Sequence, residues 1–305
     1  MDSPSPTERS SVLTTAADVV AEVPAGATIG IGGILTSCHP MAIVRELIKQ
    51  GVGDLHVVGL ASGLEVDMLI AAGLVRRVST PTVSAEARSP IAPAYRRAAQ
   101  AGEIELWECD EGLVYAALRA GAQRVPFTPW PAGIGTSLPE INDGMVEIES
   151  PFEDGRRLLA VRAIELDFSF AHAARSDRFG NVQTVGGGFG DAALARASKR
   201  AVYTVDRIVS NHEVRLDPGS TAIAGVDAVV HAPFGAHPFS SPGSYLVDGP
   251  WLDEYLRACH RWVREGDRGE LEEFFERWVS GPADHWEYMD RVGIERLHGL
   301  EEGLH

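Results

Sequence analysis

The sequence predicts an α/β protein, with an open, mainly parallel sheet, helices on both faces and a helical C-terminal part. Three observations carry this expectation. Short apolar runs alternate with helical runs from Ala16 onward. Glycine or proline closes most of the helical runs, as chain reversal requires. The last part of the chain reads as helical, with apolar residues at helical spacing in Gly269 to Gly281. Alternation of this kind buries a parallel sheet between helices.

The elements follow in order. Ala16 to Val23 reads as a short helix ended by Pro24 and Gly26, and Ala27 to Ile31 as a strand. Gly30-Ile31-Gly32-Gly33 makes a turn, and Pro40 opens the helix Met41 to Lys49, stopped by Gly51. Asp54 to Leu60 is a strand, Glu65 to Ala72 a helix closed by Gly73, and Val75 to Val83 a third strand. Pro93 to Ala101 is a helix ending at Gly102, Ile104 to Trp107 a strand, and Glu111 to Ala120 a helix ended by Gly121. Pro126 to Ser150 is rich in Pro and Gly and reads as loop. Strands return at Arg157 to Ala163, Asp167 to His172, Ala201 to Val205 and Asp227 to Ala232, with a helix at Asp191 to Lys199. In Gly269 to Gly281, Leu271, Phe274, Phe275 and Trp278 form one apolar face, which core packing explains.

Composition bounds the function. The chain has 305 residues, 45% of them hydrophobic, enough for a sizeable core. Its formal net charge is −16, so nucleic acid and anionic membrane are disfavoured as partners. Three cysteines lie far apart, at Cys38, Cys109 and Cys259, with no C-x-x-C pair. They suggest neither a disulfide framework nor a zinc ribbon. Met1 to Ser11 lacks the basic and apolar regions of a signal peptide, and no apolar run reaches the ~20 residues of a membrane span. The expectation is a cytoplasmic protein with a disordered tail over residues 1–11 and one domain over 12–305.

Four clusters invite chemistry. The glycine turn at Gly30 to Gly33 sits at a strand end before a helix, a place suited to an anion or to a tight structural turn. It lacks the third glycine of G-x-G-x-x-G, and Asp54 precedes the second strand, so a dinucleotide is disfavoured. No G-K-[ST] occurs, which excludes a P-loop. The run Gly186-Gly187-Gly188-Phe189-Gly190-Asp191 is an open loop, with Asp191 placed as the N-cap of the next helix. Such a loop suits close approach of a ligand or another chain, or is a plain surface loop. His231 and His237 lie in a strand-end turn without carboxylate or cysteine at ligand spacing, so no metal is expected. Glu111, beside Asp110, starts a helix and is the candidate acid, base or nucleophile, or simply an acid facing the helix dipole. Cys109 has no basic neighbour to activate it, and no G-x-S-x-G elbow occurs.

Taken together the segments resemble the A-type (α) subunits of family I CoA-transferases, of the glutaconate CoA-transferase type, from about Val12 to Leu300. The matching pieces are G-I-G-G at Gly30 to Gly33, P-M-A-I-V-R-E-L at Pro40 to Leu47 and D-L at Asp54 and Leu55. They continue with D-M-L-I at Asp67 to Ile70, V-P-F-T-P at Val125 to Pro129, and G-N-V-Q with G-G-G-F-G-D at Gly180 to Asp191. V-D-A-V-V-H-A-P-F-G-A-H-P at Val226 to Pro238 and D-H-x-x-Y at Asp284 to Tyr288 complete them. The order and spacing are specific where each piece alone is weak.

The resemblance implies a CoA-transferase family I, NagB/RpiA-like fold and a homologous B (β) subunit, in an α2β2 or larger assembly. It implies a CoA thioester as substrate and no bound cofactor. A glutamate of the β subunit would attack the acyl-CoA, while the α subunit walls the acyl group. Gly32, Gly33, Gly186, Gly187 and Gly188 carry over to that wall, and Ser84 falls near the acyl carboxylate. One departure is Asp110-Glu111-Gly112, where the glutaconate type has glutamine. That triplet, with Val83-Ser84, resembles a related branch that hydrolytically opens the last rings of a steroid-derived acyl-CoA, where this glutamate is catalytic. The alternatives are therefore the α subunit of a CoA-transferase, the α subunit of an acyl-CoA C–C hydrolase using Glu111, and a non-catalytic scaffold subunit.

Overall fold

The computed structural model describes residues 9–152 and 155–302. Residues 1–8 of the expected tail lie outside them, and Arg9 to Ser11 are exposed. The chain opens with β1 (Leu13–Thr14), α1 (Ala16–Val20), β2 (Thr28–Ile31), α2 (Met41–Gln50), β3 (Leu55–Val58), α3 (Leu64–Ala71) and β4 (Val75–Ser79). It continues with α4 (Pro93–Ala101), β5 (Glu105–Leu106), α5 (Glu111–Ala122), β6 (Phe127–Trp130), α6 (Leu138–Ile141), β7 (Met145–Glu149) and β8 (Arg157–Arg162). Next come β9 (Leu166–Asp177), β10 (Val182–Gln183), α7 (Asp191–Ala197), β11 (Ser198–Val209), α8 (Asn211–Leu216), β12 (Thr221–Ile223) and β13 (Ala228–His231). The last part is helical: α9 (Gly249–Glu265), α10 (Gly269–Phe275), α11 (His285–Val292) and α12 (Ile294–Glu302).

The main sheet runs β1-β13-β11-β9-β2-β3-β4-β5, and every pairing along that path is parallel. Its inner strands are buried on both faces, because the pleat sends alternate side chains to opposite cores, while the edge strands β1 and β5 are partly exposed. Val57 joins the core of α2, α3, α4 and α9, whereas its neighbour Val58 joins that of α5 and α7. Gly51 and Gly102 end α2 and α4 in the left-handed conformation, which a residue without Cβ adopts at least cost. The stripe of Leu271, Phe274 and Trp278 is core, as its periodicity implied.

Three expectations need correction. Residues 126–150 are not loop: β6 and β7 flank β8 as a three-stranded antiparallel sheet. Only one face of that sheet is covered, through Leu159, Val161 and Met145, so its sequence lacks the continuous apolar runs of a buried strand. Gly121 does not end its helix, which runs to Ala122. A Cβ there would come within 2.1 Å of the Ile164 carbonyl oxygen, so close packing explains this glycine. The third strand stops at Ser79, and residues 80–83 are loop joined by an isolated Ser62–Val83 bridge.

The two histidine motifs meet inside the C-terminal half. His237 is fully buried and donates from Nε2 to Asp248 (2.9 Å), while the Tyr288 hydroxyl lies 2.7 Å from Nδ1. Asp248 also accepts from Arg296 (2.7 Å) and from the Trp251 N–H, capping α9. Arg45 of α2 stacks on the Tyr288 ring at 3.6 Å and donates to the His237 carbonyl and to His285. His285 in turn donates to the Pro233 carbonyl (2.7 Å). Burial lowers the basicity of His237, so a neutral ring suits this donor pattern. G-A-H-P and D-H-x-x-Y therefore tie α9, α11 and α12 to the sheet. His231 is exposed, against the Trp286 edge. Among the described residues no three His, Cys, Asp or Glu side chains group as metal ligands, and no helix is long and apolar enough to cross a membrane.

Candidate functional site at the strand C-terminal edge

The candidate residues come from segments that follow the C-terminal ends of β2, β3, β4 and β5 and from the head of α7. In open α/β sheets this edge is where ligands bind. The turn after β2 is held from three directions. Gly32 N donates to the Phe170 carbonyl (2.8 Å), Gly33 N to Asp191 Oδ1 (2.9 Å), and Leu35 N to the Ala61 carbonyl (2.8 Å). Ile34 N donates to Ser37. Every N–H from Gly32 to Leu35 is thus engaged, so this turn is no anion cradle. It offers a close-packed wall.

Both glycines are required by what surrounds them. A Cβ on Gly32 would meet Asp191 Oδ1 at 2.6 Å and Ala171 Cβ at 2.8 Å. Gly33 has φ +94°. Strained, positive-φ residues gather around the same edge, at Leu35, Cys38, Glu86 and Phe189. Strain of this kind is typically kept where function needs a fixed geometry. A hydrogen bond of 2.5 Å from Thr36 to Glu86 links the turn to the loop after β4.

Ser84 lies in that loop, 7% exposed. Its Oγ accepts from Glu86 N (2.9 Å) and donates to the Ser89 carbonyl (3.4 Å), so the hydroxyl caps its own loop. Asp191 is not the N-cap of α7. Gly190 takes that position with φ +89°, and Asp191 turns instead to Gly33. Burial pushes the Asp191 carboxyl up to about 7, although the Gly33 N–H pulls it down. Burial also pushes the Cys38 thiol up to about 12, helped by the Asp191 charge, and the Cys109 thiol to about 12. Neither thiol is a ready nucleophile at neutral pH.

Glu111 starts α5 and is exposed, while Asp110 caps the helix through Leu113 N (2.7 Å). One turn on, at i+4, stands Tyr115. A Cβ on Gly190 would come within 2.2 Å of the Tyr115 hydroxyl oxygen, so that hydroxyl rests against the head of α7. Burial raises the Tyr115 pKa, and the charges of Glu111 and Asp191 raise it further. The fold thus brings Glu111, Tyr115, Asp191, Gly32 and Gly33 to one neighbourhood. Tyr115 and the role of Asp191 escaped the sequence reading. The i, i+4 spacing from Glu111 was the signal for the first, and the glycine before Asp191 for the second.

Gly186 to Gly188 differ in kind. Gly186 and Gly187 are exposed and Gly188 is half-buried. A Cβ on Gly186 or Gly188 would meet nothing within 4 Å, and one on Gly187 only the Phe189 ring at 3.7 Å. The loop borders a shallow groove of about 560 Å³, lined also by Phe189, Gly219 and Thr221. No packing within the chain demands glycine at 187 or 188. Gly187→Ala is therefore expected to leave stability within about 0.5 kcal/mol while weakening activity, if the loop faces substrate or another subunit. Unchanged steady-state kinetics in the reconstituted enzyme would remove this loop from the site.

At this edge an α/β scaffold carries a close-packed glycine turn and exposed carboxylates, Glu86, Glu108, Asp110 and Glu111 among them. The chain belongs to the Coenzyme A transferase family, whose sequence model matches residues 13–232. It is 30% identical to the A-type subunit of glutaconate CoA-transferase from Acidaminococcus fermentans, covering 96% of this chain and 95% of that one. The crystal structure of that glutaconate coenzyme A-transferase superimposes with a TM-score of 0.89, at 31% identity over 95% of this chain and 96% of the other. The cholesterol ring-cleaving hydrolase IpdA subunit of Mycobacterium tuberculosis is 33% identical over 92% of this chain and 97% of its own. A variant of the decarboxylase AibA/AibB also superimposes, with a TM-score of 0.77, 29% identity and coverage of 88% and 98%.

Proposed function

We propose that this chain is the α subunit of a heteromeric CoA-transferase, moving CoA from an acyl-CoA thioester to a carboxylic acid. A homologous β subunit completes the cleft in an α2β2 or larger cytoplasmic assembly. The observation that carries this reading is the engagement of the chain's own groups at the strand edge. Cys38 and Cys109 have raised thiol pKa values, the Ser84 hydroxyl caps its loop, and Asp191 holds Gly33. Glu111 is left as an exposed carboxylate at this edge, and the transfer reading takes its nucleophile from a partner instead.

The chemistry then runs through a glutamate of the β subunit. Its carboxylate adds to the thioester carbonyl and expels CoA thiolate, leaving an acyl-glutamyl anhydride. The thiolate attacks the glutamyl carbonyl, releases the first acid as its carboxylate and forms a glutamyl-CoA thioester. The acceptor carboxylate repeats both steps in reverse, so no water is consumed. Covalent catalysis divides one difficult exchange into easier ones. Gly32, Gly33 and the Gly186 to Gly188 loop wall the acyl group, with Ser84 near its far carboxylate.

A second reading rests on Glu111. It is exposed at the edge, i+4 from Tyr115, and lies in the Asp-Glu-Gly triplet. There it would activate water for C–C hydrolysis of an acyl-CoA; the IpdA relatives are named as cholesterol ring-cleaving hydrolase subunits.

Glu111→Gln in the enzyme reconstituted with its β subunit separates the two. CoA transfer between a panel of acyl-CoAs, glutaconyl-CoA among them, and free carboxylates should stay within about threefold, since no transfer step uses Glu111. Borohydride should also trap a glutamyl-CoA ester on the β subunit. Hydrolysis of the panel that falls about 10²–10⁴-fold in Glu111→Gln, the usual worth of a general base, with no CoA transfer and no trapped ester in the unmutated enzyme, would favour hydrolysis and defeat the transfer reading.

A further inference from the structure

Beneath the glycine turn lies a buried pair that the proposed chemistry does not use. His39 is 1% exposed and Glu65 fully buried. Their nearest atoms, His39 Nδ1 and Glu65 Oε1, are 3.3 Å apart. The same Nδ1 lies 2.8 Å from the Gly32 carbonyl oxygen, and Nε2 lies 3.2 Å from the Leu35 carbonyl oxygen. Both ring nitrogens therefore face groups that only accept hydrogen bonds. A neutral imidazole has one N–H, and its other nitrogen would point a lone pair at a carbonyl lone pair. A doubly protonated ring satisfies both carbonyls, because each nitrogen then donates.

The carboxylate is placed to balance that charge. Glu65 is the second residue of α3, and both its oxygens lie 2.9 Å from Gly63 N. An anion in the first turn of a helix is favoured by the dipole and by the unpaired N–H groups there. Burial is the largest influence on both groups and takes His39 down to about 4 and Glu65 up to about 8, toward the neutral forms, so the case for an ion pair rests on the hydrogen-bond geometry. The directed N–H donors on the carboxylate and the two carbonyls on the ring oppose both shifts. Phe239 closes the ring off from solvent, edge-on at 4.8 Å. A Cβ on Gly63 would come within 2.0 Å of the Leu35 carbonyl oxygen, so the absence of a side chain there lets the turn settle onto this pair.

We propose that His39 is a positioning residue: an imidazolium paired with the Glu65 carboxylate that fixes the Gly32 to Leu35 turn as the wall of the acyl site. Its two N–H groups hold the Gly32 and Leu35 carbonyls from below, while Asp191 holds Gly33 N from the side. The last part, the wall, rests on the CoA-transfer reading. The ion pair does not.

The test has two arms. In this chain labelled with ¹⁵N-histidine and assembled with its β subunit, two-bond ¹H–¹⁵N correlations read the His39 ring, assigned by its absence in H39Q. Both nitrogens carrying protons at pH 7.5, and a neutral pattern in E65Q, is the expected result. A neutral pattern in the unmutated protein overturns the ion pair. In the kinetic arm, E65Q should raise KM for the best acyl-CoA of the panel about tenfold with kcat changed less than threefold, as for a displaced binding wall. E65D, which keeps the charge, should recover part of the KM, and H39Q takes the place of E65Q in this arm should that variant not fold. An imidazolium whose loss leaves KM unchanged overturns the positioning role. If the unmutated complex transfers no CoA, the transfer reading and with it the wall fails, and the NMR arm still decides the ion pair.

Discussion

Gly33→Ala should cost about 3 kcal/mol of stability and abolish most activity of the assembled enzyme. The backbone at Gly33 has φ +94°, and a Cβ would meet Ser37 O at 2.7 Å, Cys38 C at 2.8 Å and His39 N at 2.8 Å. All three are backbone atoms, so no side chain can rotate away. Relief requires the segment from Gly33 to His39 to move, which pulls Gly33 N from Asp191 and the Gly32 carbonyl from His39. Denaturant unfolding of the full chain reads the stability, and an unchanged midpoint would refute the argument. Gly187→Ala supplies the contrast, since there the added methyl has room. Two glycine clusters that look alike in sequence should respond in opposite ways, one through folding and the other through what lies outside the chain.

Asp248→Ala is expected to destabilise the fold by about 2–3 kcal/mol, because it leaves a buried histidine N–H without its acceptor and removes a helix cap, while its pairing with the one-third-exposed Arg296 counts for less. The side chain is 1% exposed and accepts from His237, Arg296 and Trp251 N. Its loss leaves the Arg296 charge and the His237 N–H without their acceptor and uncaps α9. Burial alone would raise the Asp248 carboxyl, but the bonds from His237 and Arg296 outweigh it and hold it at about 2. The folded value lies below that of an unfolded aspartate, near ~4. The stability it contributes is therefore complete above about pH 4 and lost as pH falls through about 2. Unfolding curves at pH 6 and pH 2.5 should differ less in Asp248→Ala than in the unmutated chain. Equal acid sensitivity in both would show that other groups carry it.

Much of the scaffold was legible because its signals are local. Gly51 and Gly102 stop helices where left-handed residues are needed, and the apolar runs of β2, β3 and β13 match strands buried on both faces. The small sheet of β6, β7 and β8 was not legible. Phe127 and Val146 remain exposed on its outer face, so the pattern that marks a buried strand is missing. Gly121 misled for a related reason: a glycine required by a neighbour distant in sequence looks the same as one required by a helix end.

The site divides along the same line. The sequence by itself determined the α/β class, the glycine turn at a strand end, the open loop at Gly186 to Gly188, and Glu111 at a helix start. Each follows from conformational preferences acting over a few residues. Only the tertiary structure decided what these features do to one another. It spent the N–H groups of the turn on Phe170, Asp191, Ser37 and Ala61, and turned Asp191 from a cap into a tether. It set Tyr115 between Glu111 and the head of α7, and buried His39 against Glu65. The physical reason is separation along the chain. Gly33 and Asp191 stand 158 residues apart. A hydrogen bond between such residues exists only once the parallel sheet has brought their strand ends to one edge.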